Sequence, residues 1–515
     1  MALWSTLEFA LEGPSSVAGG DPNPFLVEAT ISFRSPSGRR LEVPTFFDGD
    51  GRGGPRGRVW RVRFTPDETG VWQLQSTADE PTLNGYQGSF SVRAPSSNAP
   101  MPQRCGRLQA ADGWYLQFAD GSSWLKGGIN EPEDFLALGV LGRSWAAKKR
   151  TVNRLARLGV NSMYLMLQNV DGDGDNVWPW LERKSSRRFD VAKLGRWDHL
   201  FRHMQARGVV LHLVLEDDSG WTGFDRHLYY REMVARFGHH NALIWNLSEE
   251  YDENYRPGQI RRFAAQLEAL DPYDHPITVH HAGPTSRWEP FLRDLSFDMT
   301  SFQTGNAPQN DLAVSWRDRA VRARRPLVIS FDETGETDAS EAELARRIVW
   351  SVYLGGASFE LYTGAIRRIG DFAEHLRSIR RARSLLASLP FWEMDPCNHL
   401  LARRTGEAYC LGLAGQAYVL YAEGPEPVTL DLADATGSFS LTWHDPRSSA
   451  GRDGGAVAAG DERTLGPPPF LPGSAAILRK GAVTSSETDG EAGPTCFGVP
   501  SASAGRSSEP RVEGP

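Results

Sequence analysis

Residues 242–250, ALIWNLSEE, stay almost wholly apolar as far as Leu247 and then end on Ser248, Glu249 and Glu250. A short apolar run that stops this abruptly reads as a strand buried on both faces, the kind found in parallel sheets. Seven other stretches share the form: SSWLKGG (122–128), NSMYLMLQN (161–169), VVLHLVLED (209–217), PITVHH (276–281), SFDMTSFQ (296–303), PLVISFDE (326–333) and ASFELYTG (357–364). Between them lie amphipathic stretches such as TVNRLARLG (151–159), KLGRWDHLFRHMQARG (193–208) and IRRFAAQLEAL (260–270). Strand and helix alternating eight times predict a (β/α)8, or TIM, barrel over residues 103–393. No G-x-G-x-x-G follows any of these strands, so an open dinucleotide-binding sheet has no support.

Outward from the barrel the rhythm changes. At 515 residues the chain is too long for one hydrophobic core, which rarely serves more than about 250–300 residues. Residues 1–98 alternate apolar and polar over short runs such as LVEATISF and VWRVRFT, broken by turn clusters such as SPSG and DGDGRGG. That is the pattern of an antiparallel β-sandwich. Residues 394–480 return to it, with AYVLYAE and SFSLTWHD as strands, and predict a second sandwich. The expected fold is therefore a multidomain α/β chain, a barrel flanked by two β-sandwiches. Residues 481–515, rich in Ser, Gly, Pro and Glu, are expected to lack order.

A formal net charge of −8 argues against a nucleic-acid partner, which calls for a basic face. No run approaches the ~20 apolar residues of a membrane span. The first residues, MALWSTLEFALE, lack a basic start and carry Glu8 and Glu12, so they read as a strand and the expected compartment is the cytoplasm. Cys105, Cys397, Cys410 and Cys496 have no metal-like or C-x-x-C spacing. Free thiols are expected, with a Cys397–Cys410 bridge as the alternative. The sequence does not decide oligomeric state.

Active sites of such barrels lie at the C-terminal ends of the strands. The fourth strand ends with Asn246, Glu249 and Glu250, and the seventh with Asp332 and Glu333. Carboxylates facing each other across a barrel mouth suit glycosidic cleavage: one protonates the leaving oxygen while the other attacks the anomeric carbon or activates water. The competing reading is that such acids only cap the following helices. Other strand ends add a ring of donors and acceptors suited to a hydroxyl-rich ligand: Asn130, Gln168, Asn169, Glu216, Asp217, Asp218, His280, His281, Gln303, Glu360 and Tyr362. The loop DGDGDNVWPW (171–180) is expected to offer Trp178 and Trp180 as stacking platforms for sugar. Its alternative is a calcium loop, because Asp171, Asp173, Asp175 and Glu182 have suitable spacing, but Asn176 stands where the turn glycine belongs. His280 and His281 point to opposite faces of a strand and are not expected to share an ion. No metal and no cofactor is expected.

WNLSEE and ISFDETG resemble the barrel glycosidases of clan A, in which W-x-L-x-N-E carries the acid/base and E-x-G the nucleophile. The resemblance implies Glu250 as acid/base and Glu333 as nucleophile, with Glu249 where that clan has an asparagine that binds the sugar 2-hydroxyl. A longer likeness runs through NPFLVEATISF, FFDGDG, RVRFTPDETGVW, LKGGINEPEDFLA, GDGDNVWPW, WNLSEEYDEN, GGASFELYTG, SFSLTWHDPR and LGPPP. These stretches resemble bacterial candidate glycosidases with an N-terminal sandwich of unknown function, a clan A barrel and a C-terminal domain labelled collagen-binding. Relatives of that kind look secreted. The implied reaction is retaining hydrolysis of an O-glycosidic bond in an oligo- or polysaccharide. Rival readings are a barrel that binds carbohydrate without cleaving it, and a polysaccharide lyase with His280 as base.

Overall fold

The computed structural model describes residues 1–481 apart from 100, 131–133, 138–143, 173, 336–339, 363–369, 403–406 and 449. The expectation for the C-terminal tail falls on 482–515, outside the described residues. Eight parallel strands form one sheet: Gly127–Asn130, Ser162–Met166, Val210–Val214, Leu243–Asn246, Ile277–Thr278, Phe302–Gln303, Ser330–Thr334 and Ser358–Tyr362. They are called barrel strands one to eight. Their spatial order is five, four, three, two, one, eight, seven, six. A parallel bridge from His280 to Ser301 joins the two ends and closes the barrel.

The intervening helices begin and end where local chemistry dictates. Asp190 and Asp225 each accept a hydrogen bond from a backbone N–H in the first turn, at 3.0 and 3.2 Å, filling a donor site the helix itself leaves open. Such a cap contributes about 1 kcal/mol. Helix Trp145–Leu158 stops at Gly159, whose φ of 101° is left-handed backbone that favours glycine. The faces these helices turn inward carry Trp197, Phe201, Met233 and Phe237, all fully buried.

On the N-terminal side lie a three-stranded and a four-stranded antiparallel sheet. Phe33 stacks on Phe64 at 3.9 Å, and Trp72 meets Phe64 at 5.1 Å, between them. This sandwich is bonded to the barrel through backbone groups. Thr65 Oγ1 donates to His239 O at 2.7 Å, Arg63 Nη1 to Arg236 O at 3.0 Å, and Arg236 Nη2 to Phe47 O at 2.8 Å. The C-terminal side carries a six-stranded sheet and a two-stranded one. Tyr421 of that sheet stacks on Trp350 of the barrel at 5.5 Å, and Arg347 holds Glu407 with two bonds of 2.9 and 2.6 Å.

The expectation of free thiols is overturned: Cys397 and Cys410 form a disulfide with their Cα atoms 5.0 Å apart, and Cys105 is also disulfide-bonded. Residues 397 and 410 come together because the chain turns back between Asp395–Pro396 and Ala408–Leu413, which pair antiparallel. Among the described residues, no helix is long and apolar enough to cross a membrane.

Candidate active site

Side chains alternate across each barrel strand. At strand one a Cβ on Gly127 would meet Ile379 and Arg383 of the outer helix, whereas a Cβ on Gly128 would meet Glu360. Lys126, Gly128 and Asn130 therefore face the interior. The lowest layer there is ionic. Lys126 Nζ lies 2.6 Å from Asp332 Oδ1, 2.8 Å from Glu360 Oε2 and 3.2 Å from His212 Nδ1, and all four residues are fully buried. Burial, with the Lys126 charge beside it, holds His212 well below its usual range and keeps it neutral. Its Nδ1–H then donates to Glu360 at 2.9 Å, and its Nε2 accepts from Asn246 Nδ2 at 3.2 Å. Asn246 Oδ1 in turn accepts from the backbone N–H of His280 at 3.1 Å.

This chain of bonds ends at the mouth. His280 Nδ1 meets Ser301 Oγ at 3.0 Å, and its Nε2 lies 3.3 Å from Glu333 Oε2 and 3.7 Å from Glu249 Oε1. Tyr164 donates its hydroxyl to Glu249 Oε2. Gln303 Nε2 donates to Glu250 Oε1 at 2.6 Å and to Glu333 Oε1 at 3.1 Å. Those two carboxylate oxygens are thus no further apart than the two bonds laid end to end.

Two backbone irregularities bring the acids here. Strict alternation along strand seven would turn Glu333 away from the interior, since Ser330 and Asp332 point inward. A register shift between Phe331 and Thr334 reverses it, the usual effect of a bulge on side-chain aim. Glu250 sits in left-handed backbone, φ 29° and ψ 51°, which costs a non-glycine residue about 1–3 kcal/mol.

The environments of the carboxyl groups differ. Burial pushes Glu250 up to about 7, against the hydrogen bond from Gln303 and the charge of His280. Burial also works to raise Glu333, but the hydrogen bond and charge of His280, with the Gln303 bond, outweigh it and hold Glu333 below its ordinary value. Glu249, wholly buried, is pushed well above the carboxylate range by burial and by the Glu333 and Glu250 charges. For His280 burial is overcome by the carboxylates of Glu249 and Glu333, raising it to about 9. Below about pH 7 the layer pairs an imidazolium at His280 with an ionised carboxylate at Glu333, while Glu250 holds its proton.

Four clusters in the barrel have metal-like spacing among the described residues, and two of them line its interior, His212–Asp332–Glu360 and Glu249–His280–Glu333. Lys126 sits against all three members of the first, and the imidazole of the second carries its proton, so neither set offers a free donor array.

The structure brings Glu250, Glu333, Glu249, His280 and Gln303 together. Four other residues expected to bind sugar, Asn246, Glu360, Trp180 and Asn169, are fully buried. Asn246 and Glu360 lie one layer below, fully buried in the polar floor. Trp180 is core, packed against Trp221 at 5.2 Å and Tyr229 at 5.7 Å. Asn169 is buried, its Oδ1 accepting from Gly174 N at 3.1 Å, which shapes the loop. Trp178 is half-buried with Lys193 Nζ 5.0 Å over its ring, and Tyr362 is half-buried at the end of strand eight. Asp171 of the supposed calcium loop pairs with Arg183 at 2.6 Å and with Lys184, while Asp173 lies outside the described residues. Sequence reading missed Tyr164, Lys126 and His212. Lys126 and His212 left a signal, a basic residue inside an apolar strand; Tyr164 within NSMYLML left none.

Residues 1–79 match the domain family described as "Domain of unknown function (DUF5060)". No curated protein matches the chain. Among solved structures, a candidate glycoside hydrolase from Bacteroides vulgatus superposes with a TM-score of 0.72 at 14% identity, covering 93% of this chain and 99% of its own. A family 5 glycoside hydrolase from the same organism gives 0.61 at 16% identity, over 75% and 96%. A further structure described as a glycoside hydrolase gives 0.61 at 15% identity, over 75% and 99%. Likeness at these identities establishes the architecture, a (β/α)8 barrel between β-sandwiches, and leaves the chemistry to the residues themselves.

Proposed function

We propose that this chain is a glycoside hydrolase that cleaves O-glycosidic bonds of an oligo- or polysaccharide with retention of configuration, without a cofactor. One observation carries the reading: a single amide nitrogen, Gln303 Nε2, bonds to Glu250 and Glu333 at once. Two carboxylates that share one donor fit the ~5–5.5 Å spacing of retaining enzymes better than the ~6.5–9.5 Å that leaves room for a water in inverting ones. Their opposite proton affinities match the two tasks. Glu333, ionised, attacks the anomeric carbon. Glu250, protonated, gives its proton to the leaving oxygen, then takes one from the water that cleaves the glycosyl-enzyme. The resemblance to clan A points to the same two residues. A lyase with His280 as base draws no support, because His280 holds its proton up to about pH 9.

The test is a panel of aryl glycosides and neutral polysaccharides, with the anomer of the first-formed product followed by NMR. Retention is expected. Inversion would overturn the nucleophile assignment, and no turnover on any member would overturn the glycosidase reading.

The pH dependence follows from the same groups. Activity needs Glu250 protonated and Glu333 ionised, so kcat/KM is expected to fall above about pH 7 and to hold on the acid side until below the ordinary carboxylate range. His280 lowers the proton affinity of both acids. In His280→Gln the whole bell should therefore move to higher pH as well as shrink. A bell that keeps its position would show that His280 does not set the charge of this pair.

A further inference from the structure

We propose that Asn130 is a substrate-binding residue, its amide taking two neighbouring hydroxyls of the sugar ring seated over the carboxylate pair. The proposal rests on the glycosidase reading and adds to it a specific contact. Asn130 closes strand one at the catalytic end of the barrel and, by the alternation that Gly127 and Gly128 establish, points inward. In register it stands between Tyr164 on strand two and Tyr362 on strand eight. Tyr164 is the residue that bonds to Glu249, so Asn130 lies one side chain from the acidic layer.

Its amide is fully buried, and among the described residues both Nδ2 and Oδ1 lack a hydrogen-bond partner. Folded chains rarely tolerate this, because an unmade bond leaves the desolvation cost of each atom unrelieved. Two other buried asparagines of the barrel are served at both ends, Asn246 by His212 and His280 N and Asn161 by Gly127 N and Leu125 O, whereas single atoms of Gln168, His281 and Asp332 are left over among the described residues. An amide left with one donor and one acceptor side by side complements a vicinal diol, in which one hydroxyl accepts from Nδ2 and its neighbour donates to Oδ1. For a sugar to reach this amide Tyr362, its half-buried neighbour on strand eight, would have to give way.

The experiment uses the full chain and the aryl glycoside that the wild type turns over fastest, together with its monodeoxy derivatives. Asn130→Leu is close to isosteric and removes the orphaned amide. Its kcat/KM is expected to fall about 10- to 100-fold, the loss of two hydrogen bonds to substrate, while its melting temperature holds or rises. Deoxygenation at the two bonded positions should cost the wild type activity and cost Asn130→Leu nothing more. Asn130→Ala, which cannot overpack the site, replaces Leu if that variant fails to fold. A melting temperature that drops in step with activity, with deoxy penalties equal in both proteins, would assign Asn130 a structural role and overturn the proposal. Wild-type turnover with Asn130→Leu equal to wild type sinks this contact alone. A wild type that cleaves no glycoside sinks the contact together with the reading it rests on.

Discussion

Glu333→Gln is expected to abolish turnover on every glycoside that the wild type cleaves, with a fall in kcat of about 10⁴-fold or more, the scale on which loss of a nucleophile is felt. The amide keeps the shape and the Gln303 contact but has no charge to attack with, and it leaves His280 without its ionised partner at 3.3 Å. Glu250→Ala is expected to behave differently according to leaving group. With a poor leaving group the loss should reach about 10²–10⁴-fold, the usual contribution of general acid catalysis. With a dinitrophenyl leaving group, which needs no protonation, formation of the glycosyl-enzyme should proceed and its hydrolysis should stall. Added azide should then restore turnover and leave a glycosyl azide of retained configuration. If azide rescues Glu249→Ala while Glu250→Ala stays active, the acid/base is Glu249 and its neighbour plays the lesser part.

Lys126→Met should show the largest effect on stability, a loss of about 3–5 kcal/mol, because it strips the shared cation from Asp332 and Glu360 in a site closed to water. The loss is not fixed by pH. Deprived of Lys126, Glu360, whose burial already raises it, holds its proton more tightly in the folded variant than it does unfolded. The stability deficit should therefore shrink as pH falls and grow as it rises. Chemical denaturation at several pH values tests this: the midpoint should shift with an unchanged slope. A variant as stable as the wild type at pH 8 would mean that water reaches the floor of the barrel. Replacing Lys126, Asp332 and Glu360 together by apolar residues should recover much of the loss, since no charge is then left unpaired.

The eight strands were legible because burial on both faces makes each one a short apolar run, and the acids Glu249, Glu250 and Glu333 because each such run stops at a carboxylate. Depth within the barrel was not legible. Glu360 and Tyr362 are two positions apart on one strand, yet one lies in the ionic floor and the other at the rim. Which of them meets a ligand depends on the stagger between neighbouring strands, seen only in pairings such as Gly128 with Glu360. Asn246 was misplaced for the same reason. Glu333 meets Gln303 and His280 because a bulge overrides the alternation that sequence reading relies on, and its position at a strand end is all that the sequence offered. Trp178 and Trp180 lie in a loop with no period to tell inside from outside, and Trp180 went to the core. The Cys397–Cys410 bond depends on a hairpin-like return whose partners, two and six residues long, are too short to be recognised in advance.

The left-handed backbone at Glu250 sets this one position at odds with itself. Glycine adopts that conformation without strain, and asparagine does so more cheaply than glutamate. In a library of this chain screened only for survival of heat, with no glycan to cleave, codons for glycine and asparagine at 250 are the ones such a screen enriches. Every clone that gains stability this way has lost the carboxyl group that we propose as the proton donor. Selection for folding and selection for turnover read the same codon with opposite signs, and a glutamate persists there only while the second outweighs the first.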